Sequence, residues 1–466
     1  LIIPLIILVI LNGGDGGNIS GFWDNLPTIG MGVAVLFVLI SGIIRWLRFT
    51  YRIESGELRI EYGLFVKKRR YIPFDRIQSL NVTEGPLQRL FGLVKVEIET
   101  AGSSNSLKAE AVLTAISKAE ATELTQVIRE EKPQISAEEQ DSIEGDTKIV
   151  YRATYQDLFI MAATSGGAGV VISAIFAFSS QFQELIPYEK IFREAERFVE
   201  SGMTLIVFLL AAVLLLVWLL SIMMTLLKYG NFTLSKFEDQ LIIGRGLLER
   251  QSISLPFTRI QGITIVESPI RQIFGYASVY VESAGGIAAE TNHTSVMIIP
   301  LVKKKHLQER LKNLFPDYHL ETTYLPAPRR AVISYISQKM IWVLFPIAGI
   351  SWLFWPLGVW SLLLVIPAAI IGYLDYRSAG WRIDQHQLSL SFRKISKHTM
   401  LMKKHRIQSL DLKQNWWQKN RGLAGVEAVI KAGSIGKGAS LFYMDEVDAK
   451  TIFQWYRHEY LQGEDI

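Results

Sequence analysis

Four stretches of the chain run apolar without a charged side chain: residues 25–44, 158–183, 201–227 and 340–374. A helix rises about 1.5 Å per residue, so about 20 apolar residues cross a bilayer. Each of the first three stretches predicts one pass, and the fourth is long enough for two. Pro356 lies near its middle among Trp352, Trp355 and Trp360. Tryptophan favours the membrane interface, so this cluster predicts the tip of a helical hairpin. Leu1–Leu11 reads as part of a further pass whose beginning the chain lacks. The expected membrane part is an α-helical bundle of about six helices in three hairpins.

Between these stretches the period changes to two, which predicts strands. Val94, Val96 and Ile98 alternate with Lys95, Glu97 and Glu99; Val279 and Val281 alternate with Tyr280 and Glu282. Leu58, Ile60 and Tyr62 lead to Gly63, as Leu241 and Ile243 lead to Gly246. Pro86–Gly92 differs, with apolar residues at helical spacing and a terminal glycine. It predicts one helical turn with a glycine stop, Leu90 and Phe91 packing inward. Helical patterns near 113–131, 300–315 and 445–462 follow.

The strand regions are copies of one another. Arg-Ile-Gln occurs at 76–78, 259–261 and 406–408, and 16 residues separate the arginine from Gly92, Gly275 and Gly422 in turn. Ala-Gly follows at 101–102, 284–285 and 432–433, the last after a one-residue insertion. Without gaps, 13 of 30 positions agree between 73–102 and 256–285, enough for a repeat to set the architecture. The boundaries expected are hairpin 1 at 1–47, domain 1 at 48–131, an acidic linker at 132–154, hairpin 2 at 155–228, domain 2 at 229–316, a linker at 317–330, hairpin 3 at 331–376 and domain 3 at 377–466.

Gly-Leu-Phe at 63–65 or Gly-Leu-Leu at 246–248, then Pro-Phe-x-Arg-Ile-Gln, Phe-Gly and a strand ending in Ala-Gly, resembles the bacterial pleckstrin-homology-like domain family. Three such domains, each after a helix pair, are similar to its multi-domain membrane members. The resemblance implies three α+β PH-like domains, each a bent antiparallel seven-stranded barrel capped by a C-terminal helix, and no catalytic residues. Copy three departs from the pattern. Lys403-Lys404 replace Pro-Phe, Trp416-Trp417 replace Pro86-Leu87, and Asn420-Arg421 replace Leu90-Phe91, so its short turn must have another register or partner.

Charge gives an orientation. Arg45, Arg48 and Arg52 follow the second helix, Lys228 the fourth, and Arg377 and Arg382 the sixth, while Arg329 and Arg330 precede the fifth. The opposite loop at 12–25 has Asp15 and Asp24 and no Lys or Arg, so the domains are expected in the cytoplasm of a bacterial cell, below its inner membrane. The other outward loop, about 181–202, is mixed and reads as an amphipathic surface helix. The net charge of +5 gives no ground for a nucleic-acid partner.

Candidate contact residues are the basic clusters Lys67-Lys68-Arg69-Arg70, Lys303-Lys304-Lys305, Arg393-Lys394 and Lys403-Lys404, with Trp416 and Trp417. A cation near an anionic leaflet contributes about 1 kcal/mol, so such clusters fit anionic lipids or an acidic membrane protein. Arg76, Arg259 and Arg406 read as scaffold, tying a strand to a neighbouring carboxylate such as Glu99 or Glu282. Cysteine is absent, which removes disulfides and thiolate chemistry, and the seven histidines show no metal spacing. Gly13–Gly17 follows no strand and is no phosphate cradle. Lys339 lies near a span end, where it is expected to snorkel. No catalytic, cofactor or metal site is expected. The reading is a membrane scaffold for lipid or protein contact, associated with envelope homeostasis or tolerance of membrane-active compounds. The alternative is a lipid or peptide translocator whose domains gate a path through the helices.

Overall fold

The computed structural model describes residues 26–54, 56–63, 66–100, 111–130, 148–165, 203–237, 239–284, 295–320, 323–432 and 436–457. Leu1–Leu11, the loop at 12–25, the loop at 181–202 and most of the acidic linker lie outside them. The chain divides into two compact units, residues 1–78 with 122–140, and residues 79–121 with 141–466.

In the first unit, α1 (Leu26–Leu47) is apolar and exposes Leu36, Phe37, Ile40 and Ile43, as a lipid-facing helix does. It leads into β1 (Thr50–Glu54), β2 (Glu57–Tyr62) and β3 (Lys68–Pro73), an antiparallel sheet in that order. Alternation buries Leu58, Ile60 and Ile72 on one face and sets Arg59, Glu61 and Arg69 on the other.

The second unit holds two seven-stranded sheets and one of three strands. From the first copy it holds β4 (Ile77–Glu84), β5 (Leu93–Thr100) and β6 (Ala111–Ser117), with α2 (Pro86–Leu90) between β4 and β5; α3 (Lys118–Glu130), which follows β6, is counted mostly with the first unit. The second copy contributes β7 (Lys148–Arg152), α4 (Tyr155–Ala163), α5 (Met203–Tyr229), β8 (Thr233–Phe237), β9 (Gln240–Arg245) and β10 (Arg250–Pro256). It continues with β11 (Ile260–Glu267), α6 (Pro269–Ile273), β12 (Tyr276–Ser283), β13 (Ser295–Lys303) and α7 (Lys304–Leu314). The third runs through β14 (Leu325–Pro326), α8 (Val332–Leu353), α9 (Val365–Ser378), β15 (Gly380–Asp384), β16 (Gln387–Arg393) and β17 (Lys397–Lys403). Its second half is β18 (Ile407–Lys413), α10 (Trp416–Asn420), β19 (Leu423–Ile430), β20 (Lys437–Asp445) and α11 (Glu446–Tyr456).

The expected closed barrels are not formed. One large sheet runs β6-β5-β4-β10-β9-β8-β7 and the other β13-β12-β11-β17-β16-β15-β14, so each joins the second half of one copy to the first half of the next. The repeated Pro-Phe-x-Arg motif is the corner between them. Pro256 fixes φ at −62°, Phe257–Arg259 make one tight turn, and β10 and β11 leave in different sheets. The backbone groups that closure would satisfy within a copy are satisfied between copies instead.

Both junctions use one register. β4 sets Glu84 opposite Arg250 and Asn81 opposite Ile253. β11 sets Glu267 opposite Lys397 and Thr264 opposite Met400. Each glutamate stands eight residues after its motif arginine, and each cation nine before its own.

The expected linkers also contribute strands. β7 pairs with β8 across the second hairpin, Arg152 opposite Thr233, and β14 pairs with β15 across the third, Pro326 opposite Gly380. Among the described residues three helical stretches, not six, are long and apolar enough to cross a membrane: Ala211–Tyr229, Arg329–Leu353 and Gly358–Ser378. The expected pass at 158–183 is described only in its first turns, as α4. The last two stretches meet at Pro356, where Trp352, Trp355 and Trp360 are exposed, as the hairpin tip required. Lys339 does not snorkel: its Nζ lies 2.9 Å from the carboxylate of buried Asp375 in the partner helix.

Two cores hold the unit together. The first gathers Leu234, Leu241, Ile243, Ile263, Val279, Val281, Ile299 and Leu311 with Leu158 and Met161 of α4 and Leu401 of the next copy. The second gathers Leu388, Leu390, Met400, Val426, Leu441 and Ile452 with Tyr335 of α8. Each fully buried aliphatic side chain contributes about 1.5–3 kcal/mol. The cores therefore fasten helix ends and neighbouring copies as firmly as they fasten strands.

Candidate functional site

The basic residues at 67–70 do not act as one patch. Strand alternation puts Lys67 and Arg69 on the outward face of their sheet and Lys68 and Arg70 on the other. Lys67 and Arg69 both bind the Glu61 carboxylate, Arg69 at 3.0 Å. The hydrogen bond from Lys67 holds that carboxyl below its ordinary range. Arg59 pairs with Glu54 at 2.6 Å beside them, and the whole forms a groove of about 290 Å³ whose cations are partly neutralised.

Of the other basic candidates, Arg393 is a correction. It is buried, donating to Ser378 Oγ at 3.0 Å, the Ile395 carbonyl at 3.1 Å and the Gln272 side chain. An arginine engaged in this way holds neighbouring segments together. Lys304 is bound to Glu267, Lys303 lies over the Tyr276 ring, and Lys305 is exposed on α7. Lys403 pairs with Asp317 at 3.2 Å and covers Tyr318; Lys404 covers Trp455. Lys394 is exposed at the β16–β17 turn.

Trp416 and Trp417 are exposed, 66% and 68%, and meet edge to face with centroids 5.4 Å apart. They open α10, capped by Asn415 and Gln418 in reciprocal hydrogen bonds. The short helices of the other two copies expose large apolar residues as well. Contrary to the inward packing expected, Leu90 and Phe91 are 79% and 76% exposed, and Ile273 and Phe274 are 81% and 68% exposed. Leu87 and Ile270 are exposed beside them. Each helix stops at a glycine with positive φ, +65° at Gly92, +68° at Gly275 and +61° at Gly422, which turns the chain back and leaves the apolar tip standing out.

These tips lie beside the membrane helices. Arg271 of α6 is buried and donates to Thr164 Oγ1 at 2.9 Å, the Met161 carbonyl at 2.9 Å and Ser278 Oγ at 2.7 Å. Met161 and Thr164 belong to the apolar stretch 158–183, so the tip of copy two stands one to two turns along it. At copy three, Arg330 binds the Gly422 carbonyl and Asp445, and Arg421 donates to Ser334 Oγ at 3.2 Å, beside the first turns of α8. The tip of copy one reaches the next copy: Arg89 donates to the Leu247 carbonyl at 3.2 Å, and the Leu247 amide bonds Leu227 at the end of α5. The altered tip of copy three therefore keeps the register of the others and, like the tip of copy two, meets a helix.

The three motif arginines differ in their surroundings. Arg259 is buried and binds Glu99 and Ser79 of the preceding copy, both at 2.9 Å. Arg76 is exposed and Arg406 half-buried. At the second junction Lys437 takes the arginine's part, binding Glu282 of the preceding copy at 2.5 Å. The sheet register sets Val429 where Glu282 stands in copy two, so copy three has no carboxylate at that place. Among the described residues no group of three His, Cys, Asp or Glu is placed to hold a metal ion.

The family described as "Bacterial PH domain" matches the chain three times, at residues 5–132, 195–315 and 341–460. The UPF0699 transmembrane protein YdbT of Bacillus subtilis (strain 168) is 35% identical over 474 residues, covering 99% of this chain and 94% of the relative. The UPF0699 transmembrane protein YdbS of the same organism is 30% identical over 76 residues, 16% of this chain and 48% of that relative.

Proposed function

The chain belongs to the bacterial PH domain family, carrying its domain three times, and on that premise we propose that it is a membrane-anchored scaffold whose domains grip the leaflet above their own helices. The observation that carries the reading is the row of exposed apolar tips: Leu90 and Phe91, Ile273 and Phe274, Trp416 and Trp417. Large apolar groups exposed at one recurring place mark a contact surface, and tryptophan suits the headgroup layer. The hydrogen bonds that the neighbouring Arg271 donates to Met161 and Thr164, and Arg421 to Ser334, support an insertion depth of one to two helical turns.

The basic residues act around that contact. Lys305, Lys394 and Lys68 stay exposed for anionic headgroups, whereas Arg393 holds the junction. The sheets shared between copies support a single side of the bilayer for them, and the basic helix flanks support the cytoplasmic face of a bacterial inner membrane. Three weak contacts on one polypeptide add up, because each raises the effective concentration of the others. Such a surface suits a scaffold for a lipid domain or membrane protein in envelope maintenance.

The test uses the absence of cysteine. Phe91→Cys, Phe274→Cys and Trp417→Cys, each labelled with an environment-sensitive dye in reconstituted vesicles, are expected to be quenched by shallow brominated lipids. His386→Cys, at the turn leading away from α9, is expected to be quenched by aqueous iodide instead. Tip labels as open to iodide as the one at 386 would overturn the reading.

A further inference from the structure

Two strands that are paired at both internal junctions have no partner strand among the described residues at the two ends of the chain. β3 stands in copy one where β10 and β17 stand in theirs, and it is the edge of its sheet. β18 stands in copy three where β4 and β11 stand in theirs, and it too is an edge among the described residues. An unpaired strand presents a row of amides and carbonyls to whatever strand can meet it.

Exposure tracks the missing partners. Ile253 and Met400 are 3% and 1% exposed in the leading strands, while Arg70 at the same place is exposed. In the trailing strands Asn81 and Thr264 are 1% and 2% exposed, while Asp411 at their place is exposed. Both internal junctions bring these positions face to face, as Asn81 with Ile253 and Thr264 with Met400. Carried to the outer strands, the register sets Asp411 opposite Arg70, Leu410 opposite Tyr71 and Ser409 opposite Ile72. Two neutral buried side chains are thus replaced by two opposite charges on the two free edges.

We propose that β18 of one chain pairs antiparallel with β3 of a second copy of the same chain, in the internal register, with Asp411 against Arg70. Opposite charges directly across an antiparallel pair stabilise it and like charges oppose it. The one like-charged pair, Lys413 with Lys68, falls at the end of β18, where Glu427 lies 2.5 Å from Lys413. The contact is head to tail: each chain offers a different edge, so the interface closes a ring or extends a row in the membrane plane.

The experiment mixes two differently tagged full-length chains in one membrane, one carrying Tyr71→Cys and the other Leu410→Cys. Because the chain has no cysteine of its own, only a contact between molecules joins the two tags on oxidation. The expected result is a mixed-tag dimer, at least fivefold weaker when the second chain carries Lys413→Cys instead. Asp411→Arg on the Leu410→Cys chain is expected to abolish the product, and Arg70→Asp on the Tyr71→Cys chain to restore it. Both substitutions lie at exposed positions, and each chain's thermal melt checks that it folds. No mixed-tag product, a product indifferent to register, or cross-linking of the Tyr71→Cys chain to another protein instead would overturn the proposal.

Discussion

The guanidinium of Arg259 lies 2.9 Å from the carboxylate of Glu99, 160 residues earlier and in the preceding copy of the domain. Both side chains are nearly buried, so the pair is the charged bolt of the first junction. Removing one partner strands a charge, which costs about 3–5 kcal/mol, whereas replacing both with apolar groups is often near neutral. Arg259→Met and Glu99→Leu are each expected to lower the melting temperature of the purified chain sharply. The double variant is expected to recover most of the loss. Additive losses would show that the two residues do not act as a pair.

Arg271 fastens the second tip to α4 and to β12 through three hydrogen bonds. Truncation to alanine leaves buried acceptors unmatched, at about 3 kcal/mol for charge-assisted bonds. Amides 270–275 are expected to exchange hydrogen at least tenfold faster in Arg271→Ala while those of β16 stay protected. Arg271→Lys is expected to rescue little, since one ammonium cannot reach three diverging acceptors.

The turn after β9 shows where a methyl group is intolerable. Gly246 has φ +104°, and an added Cβ would meet the Glu249 carbonyl oxygen at 1.9 Å. Gly246→Ala is expected to cost more than about 2 kcal/mol, through backbone strain together with that clash. Gly92→Ala, at φ +65° with open space around the Cβ, is expected to cost about 1 kcal/mol. Thermal melts of the two variants side by side check the ranking.

His398 gives the second junction a pH dependence. It stacks on Phe392 at 5.5 Å and faces Val266 across the shared sheet. Burial, then the charges of Lys437 and Lys394, push its pKa from 6.5 to about 4, with Arg393 adding to and Glu282 opposing the shift. The unfolded chain thus binds the proton first. Stability is full above about pH 6.5 and falls by about 2–3 kcal/mol as the pH drops to 4. Melting of the native chain is expected to decline over that window, and that of His398→Gln to decline less.

Much of this architecture was legible in the sequence. The repeat, the strand periods, the glycine stops and the Pro356 hairpin tip all follow from local spacing, and Arg259 does tie a strand to the carboxylate the spacing suggested. The sharing of sheets did not show. A strand's pattern records which face is buried but not whose edge lies beside it, so β4 reads alike whether its neighbour belongs to its own copy or the next. The tips misled for a related reason. Leu90 and Phe91 carry the same apolar spacing whether they face a protein core or a bilayer. β7 and β14 were missed because each short strand lies a whole hairpin away from the strand it pairs with.

That separation has a topological consequence. β7 and β8 are hydrogen-bonded neighbours, so the chain must return to its starting side between Arg152 and Thr233. The number of crossings in that interval is therefore even. The sheet also cannot be closed before the residues between β7 and β8 have been made, so the second domain is completed only after the whole interval that separates them.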